Sequence, residues 1–274
     1  MKNINTIFLL FTFTLFFSCN KEELNVNQPV VNNNNNGPCT DSYCDNTNDK
    51  VFYENGVRWL WGGTNDDWHF NISNLNINPN NLKFGLGREF FKALIEPEYV
   101  PMQEVSSLFV GSDEFIIIYA EEGIKAYSLD LLKSHEVIND VIDGEPIMVG
   151  YCPLADFTTV FSRIHCGQTL TFALSGYTYS EEDVWEGRDG FVLWDRETES
   201  LWWPFSGIGS LSGAGISGGM IDVMFNTDLD FEWDRVDWNY IESNFTDVEI
   251  LAYGQDMEIP SQWRHIDTDD LDCN

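Results

Sequence analysis

Positive charge is scarce in this chain. Fourteen lysines and arginines stand against 45 aspartates and glutamates, a formal net charge of −31. Such a surface repels nucleic acid and anionic lipid head groups, which argues against both as electrostatic partners. Solubility is the simplest use of the acidity, and attraction of cations the alternative. Long apolar runs are also missing. The one clear run, residues 7–17, falls short of the ~20 residues that a membrane-spanning helix needs. No stretch sustains a 3.6-residue hydrophobic period, which argues against a helical bundle. The glycines of residues 206–219 lack the lysine and the strand-to-helix context of a phosphate loop. The acidic alternation that starts at Asn226 lacks the glycine of a calcium loop, with Phe231 in its place and Asp237 at the twelfth position. An amphipathic strand with a solvated acidic face is the better reading there.

What is present at the N-terminus reads as export. Lys2 precedes the apolar run, which has the layout of a secretory signal. Ser18 directly before Cys19 resembles the lipobox of bacterial lipoproteins, implying cleavage after residue 18 and lipidation of Cys19. The alternative is an ordinary signal peptide with an incidental cysteine. Lys21, Glu22 and Glu23 resemble the surface-export signal of Bacteroidetes lipoproteins. The expectation is therefore an outer-membrane lipoprotein, surface-exposed if that short signal is read, with the bilayer as its partner through Cys19. Cleavage removes Lys2 and moves the formal charge from −31 to −32.

Residues 19–50 read as a disordered tether built around five consecutive asparagines. Residues 51–255 read as one domain, with 43% of the chain hydrophobic and 15% aromatic to supply its core. Residues 256–274 form an acidic tail, expected to be disordered at 267–272. Of the six cysteines, lipidation consumes Cys19 and leaves Cys39, Cys44, Cys152, Cys166 and Cys273. At least one is then unpaired within a monomer, and the pairing cannot be deduced from spacing. Cys39 and Cys44 lie close enough in sequence to close a small loop.

Turn chemistry sets the fold class. Residues 115–119 and 123–128 form one hairpin, and residues 191–194 and 201–203 form another around Arg196, Glu197, Thr198 and Glu199. Residues 158–164 and 168–175 flank Cys166 and Gly167, a hairpin that would pair Phe161 with Phe172. Helices are expected as one turn after Ser128 and over residues 236–245, with Trp238, Ile241 and Phe245 on one side. The reading is mainly β: a single antiparallel, hairpin-rich domain, sandwich or barrel-like, with one or two short helices. An α+β fold is the alternative.

The sharpest hairpin signal is Asp143-Gly144. With a two-residue loop Ile142 faces Glu145. The same register carried outward sets Glu136 across from Tyr151, and His135 across from Cys152. Opposed side chains have Cβ atoms roughly 5 Å apart. Imidazole and thiolate there suit copper or zinc, or a thiol whose pKa His135 lowers. The structural alternative makes Cys152 a small buried hydrophobe and His135 a satisfied polar group. Glu136 and Asp140 share a strand face with Ile138 between them, and two carboxylates about 5 to 10 Å apart could do glycosidase-type acid–base work. Asp195 and Arg196 read as turn-holding residues. Trp202 and Trp203 point to opposite faces, so that one is core and the other is free to stack on a sugar ring or simply packs. The candidate ligand-binding set is His135, Glu136, Asp140, Cys152, Tyr179, Asp195, Arg196 and Trp202.

Four motifs occur in order: HEVIND at 135–140, YCPL at 151–154, SG at 175–176 and WDRETESLW at 194–202. Together they resemble the bacterial family called domain of unknown function 3179, over roughly residues 70–251. Residues 93–100 resemble the family's approach to its first clear strand, and residues 237–251 its closing helix and strand. The resemblance implies a Tyr-Cys-Pro-Leu-Cys-Gly segment with a thiol pair at metal-ligand or redox spacing. Here Ala155 and Asp156 replace its last two residues. That removes a disulfide-exchange pair or a two-thiolate metal site from this position. The connection over residues 180–190 is also longer and more acidic than the resemblance leads one to expect. Three readings follow: a surface-tethered metal- or ligand-binding domain, a glycan- or protein-interaction module, and a thiol- or carboxylate-dependent enzyme.

Overall fold

A computed structural model describes residues 48–205, 213–257, 265–268, 271 and 273. The export signal, Cys19, Cys39, Cys44 and nearly all of the tether lie outside the described residues. Among the described residues no helix is long and apolar enough to cross a membrane.

The fold is mainly β, built from open sheets stacked in layers. A central sheet has the order Phe157–Ser162, Glu145–Cys152, Val137–Ile142, Leu94–Ile95. Asp143 and Gly144 both take positive φ, 51° and 85°, as a type I′ turn requires. Both faces of this sheet are covered. Val137, Met148 and Phe161 face one core, while Ile138, Ile147 and Val149 face another. Two-sided burial explains why the strands read as nearly continuous apolar runs.

The first core is closed by a five-stranded sheet carrying Phe172–Tyr179, Gly190–Asp195 and Leu201–Trp203. The three-stranded N-terminal sheet, Val51–Glu54, Val57–Leu60 and Phe70–Asn71, adds Val51, Leu60 and Phe70 to it. The second core is closed by another five-stranded sheet, which carries the hairpin Glu114–Ala120 and Gly123–Ser128. The outer face of that sheet is covered by the helix Trp238–Asn244, through Trp238 and Ile241. Asp237 caps this helix by accepting from the Tyr240 amide at 2.8 Å.

Several expectations are corrected. The hairpin around Cys166-Gly167 has only two pairs, Ile164 with Thr169 and His165 with Gln168. Phe161 pairs instead with Met148, and Phe172 with Asp195. The strands part at Arg163, whose guanidinium donates to the carbonyls of Leu170 and Asp140 at 3.0 and 3.2 Å. The expected strand over residues 226–233 is confined to Trp233–Asp237. Asn226 makes one bridge to Ser162, and its side chain turns the chain by accepting from the Asp228 amide. Among the described residues there are three short α-helices where one or two are expected, the extra one being Met102–Val105. Two described tail residues are held: Ile266 is buried and its amide donates to the Glu197 carbonyl at 2.8 Å, and Cys273 is disulfide-bonded to Cys166. Residues 269, 270 and 272 of the expected disordered stretch lie outside the described residues.

Candidate functional site

The YCPL corner is where the sequence expects chemistry. The central ladder holds its register outward only as far as Val137 opposite Gly150. The preceding helix runs from Leu129 to His135, longer than one turn, so His135 is helical and never enters the sheet. Glu136 ends that helix in the left-handed region, φ 57°, and its amide donates to the Leu132 carbonyl at 2.6 Å. One ladder bond survives past the strand, from the Tyr151 amide to the Glu136 carbonyl at 2.9 Å. Cys152 pairs instead with Phe157, on the other neighbouring strand.

The cross-strand His135–Cys152 pair therefore does not form. Nδ1 of His135 lies 2.8 Å from the Lys92 carbonyl, and Lys92 is ion-paired with Asp256 at 2.8 Å. Among the described residues no group of three or more histidine, cysteine, aspartate or glutamate side chains could hold a metal. The second pairing fails too: Glu136 lies off the strand that carries Asp140, so they are not neighbours on one strand face.

Cys152 is buried at 1% exposure, and burial pushes its thiol pKa up. The amides of Ala155, Phe191 and Leu154 pull in the opposite direction, and the Glu136 charge adds to the rise. At neutral pH this sulfur is a protonated thiol and a poor nucleophile. Burial alone lifts the Glu136 carboxyl from 4.5 to about 7. No hydrogen bond to that carboxyl group is found among the described residues. A non-glycine residue held left-handed, with a desolvated and unpartnered acid, is a place where the fold tolerates cost.

The long connection over residues 180–190 packs against this corner. Trp185 Nε1 and Arg188 Nη1 both donate to the Ala155 carbonyl, at 3.1 and 3.2 Å. The Trp185 ring also lies edge-on to Phe157, 5.1 Å between centroids. Trp185, Glu186 and Gly187 take φ of 48°, 58° and 70° in succession to bring the indole into place. Leu154 and Trp185 remain 69% and 39% exposed.

The other candidates belong to the scaffold. Asp140 accepts from the hydroxyls of Tyr99 and Tyr127, and burial raises the pKa of both tyrosines. Tyr179 is buried and donates to Glu181 at 2.6 Å. Asp195, fully buried, accepts from the Thr198 amide and hydroxyl and from Trp202 Nε1 at 2.8 Å. Burial still lifts its carboxyl to about 6. Asp195 thus holds its turn as expected. Arg196 does not: it forms a bidentate pair with Glu89 at 2.6 and 2.8 Å. Trp202 and Trp203 are both buried, because the strand that carries them is covered on both sides. Neither can stack on a sugar.

Sequence reasoning missed Glu89, Arg88, Asn139 and Trp185. Asn139 acts as a substitute peptide, donating to the Phe172 carbonyl and accepting from the Phe172 amide, both at 2.8 Å. Arg88 stacks its guanidinium 3.5 Å over Trp194 and pairs with Glu199 at 3.0 Å. An ND dipeptide inside an apolar run was the available signal for Asn139. Glu89 carried none, since its partner is distant in sequence.

A search of curated proteins and of solved structures finds no match to this chain. A family profile does match, over residues 90–250, a span that holds all four motifs and the whole of the central sheet. With more than half its length matched, the chain belongs to the family described as protein of unknown function, DUF3179.

Proposed function

We propose that this chain is an exported, lipid-anchored interaction module in which the motif histidine and cysteine are structural. The observation that carries this reading is the separation of the pair. His135 is engaged with the Lys92 carbonyl, while Cys152 is a buried, protonated thiol. The replacement of the family's second cysteine by Ala155, itself buried beneath Trp185 and Arg188, supports it further. The anchor would be a lipidated Cys19 in the outer membrane, with the domain facing outward.

The test is made in cells with a labelled palmitate analogue. Wild type is expected to incorporate the label and sediment with membranes. Cys19→Ser is expected to lose the label and appear in the soluble fraction. Protease added to intact cells should remove the domain. An unlabelled soluble wild type would contradict the anchoring, and protection from protease would contradict surface exposure.

A second reading, a carboxylate-dependent enzyme, is favoured by one observation. Glu136 has no described partner and its carboxyl lies at about 7, within the working range of a general acid or base. The measurement is the stability of Glu136→Gln. A more stable Gln variant at pH 8 would establish the cost to the fold on which this reading rests. An unchanged or lower stability would remove the ground for this reading.

A further inference from the structure

The N-terminal sheet lies outside the family-matched segment and has one face turned away from the core. Its register sets Phe52 opposite Trp59, and Trp59 opposite Asn71. The Trp61 amide continues the ladder by donating to the Lys50 carbonyl at 2.8 Å. Side chains alternate between the faces of a strand. Val51, Leu60 and Phe70 point into the core, so Phe52, Trp59 and Trp61 occupy the opposite face, where they are partly exposed. Three strands give a platform about 10 Å across, and Trp59 and Trp61 stand about 7 Å apart along it. His69 meets Phe52 edge-on at 5.2 Å, and Phe84 meets Trp61 at 4.9 Å. Exposed Glu54 and Asn71 border the rings.

From this juxtaposition we infer that the face formed by Phe52, Trp59 and Trp61 is a binding platform for a neutral glycan chain. An inference of this kind rests on the interaction-module reading and names its ligand class. Aromatic rings beside the Glu54 carboxylate and the Asn71 amide match a sugar, whose C–H faces stack while its hydroxyls hydrogen-bond. The His69 imidazole is not available to it, since its Nδ1 accepts from the Gly62 amide at 3.2 Å. Charge narrows the choice. The −31 of the chain opposes polyanions, and the platform's cation, Lys50, already lies 4.8 Å over the Trp61 ring. A cationic partner would find more carboxylates elsewhere, for example where Glu121, Glu122, Asp143, Asp247 and Glu249 line one surface cavity. The buried Trp202 and Trp203 cannot supply a rival stacking surface.

The experiment is native affinity electrophoresis of the mature chain in gels containing starch, β-glucan, mannan or xylan. Polygalacturonate serves as the anionic control. At least one neutral polysaccharide is expected to retard the wild type. Trp59→Ala should weaken that retardation about tenfold or more, with Trp59→Phe restoring part of it. Asn71→Ala, at an exposed position whose Oδ1 also accepts from the Ser73 amide at 3.0 Å, should weaken it a few-fold in protein whose unfolding transition matches wild type. Retardation by none of the four, or only by polygalacturonate, would overturn the proposal. So would retardation that survives Trp59→Ala and Asn71→Ala in folded protein. Sedimentation of the same samples covers the remaining occupant: a dimer dissolved by Trp59→Ala would assign the face to a second copy. Binding kept in Trp59→Ala but lost in Trp185→Ala would move the ligand to the corner and leave the interaction reading standing.

Discussion

Two parts of this molecule carry the family motifs, and they treat polar groups in opposite ways. In the hairpin loop at residues 195–200 the charged and hydroxyl groups are buried and matched. Asp195 has Thr198 and Trp202, Arg196 has Glu89, Glu197 has Thr171, and Ser200 receives the Met220 amide. At the corner formed by Glu136 and residues 152–155, an acid is desolvated without a described hydrogen bond and a thiol is kept neutral by burial. A satisfied polar network rigidifies and specifies a fold, whereas an unsatisfied group is a cost in search of a use. The charged motif is therefore the scaffold, and the quieter corner is where the fold bears an uncompensated acid.

The largest effect should come from breaking the matched side. Glu89→Gln leaves Arg196 charged, 4% exposed in its side chain and without its carboxylate. The expected loss in a urea titration is about 3–5 kcal/mol. A loss below about 1 kcal/mol would mean that the loop is not the scaffold described here.

The scaffold also sets an acid limit. His165 lies among Phe172, Trp202 and Phe225, and burial lowers its pKa from 6.5 to about 4. The unfolded chain therefore binds the proton first on acidification. The stability associated with neutral His165 is complete above pH 6.5 and lost as pH falls through 4, by about 3 kcal/mol. His165→Gln should flatten that limb in a pH series of denaturation curves, and an unchanged limb would assign it to other groups.

The corner should respond with the opposite sign. Glu136 has a raised folded pKa, about 7 against 4.5. Its contribution is complete below pH 4.5 and lost as pH rises through 7. Relative to wild type, Glu136→Gln should be neutral at pH 4 and about 2 kcal/mol more stable at pH 8, after allowance for partial exposure. The same class of substitution, acid to amide, then destabilises at Glu89 and stabilises at Glu136. Equal signs at both sites would erase the contrast.

Local chemistry was the legible part. Asp143-Gly144 announced its turn, and the Gly123 and residue 196–199 hairpins followed from short β-rich runs around turn residues. The candidate site was misread where a local rule was carried too far. Period-two pairing extended past Val137 gave the His135–Cys152 contact. Nothing about a glutamate signals a left-handed helix end, where glycine is usual. Trp202 and Trp203 were sorted by alternation, which assigns faces correctly but says nothing of burial when both faces are covered. The Glu89–Arg196 and Cys166–Cys273 links join residues 107 apart in each case, beyond the reach of any local pattern.

The most direct test of the account is the pH dependence of Cys152 alkylation, followed by peptide mapping so that the other cysteines do not interfere. The account predicts slow labelling at pH 7, a rise only above the ordinary thiol range, and the same profile in His135→Ala. Fast labelling at pH 7 that His135→Ala abolishes would contradict it and restore the histidine–thiol pair as a working unit.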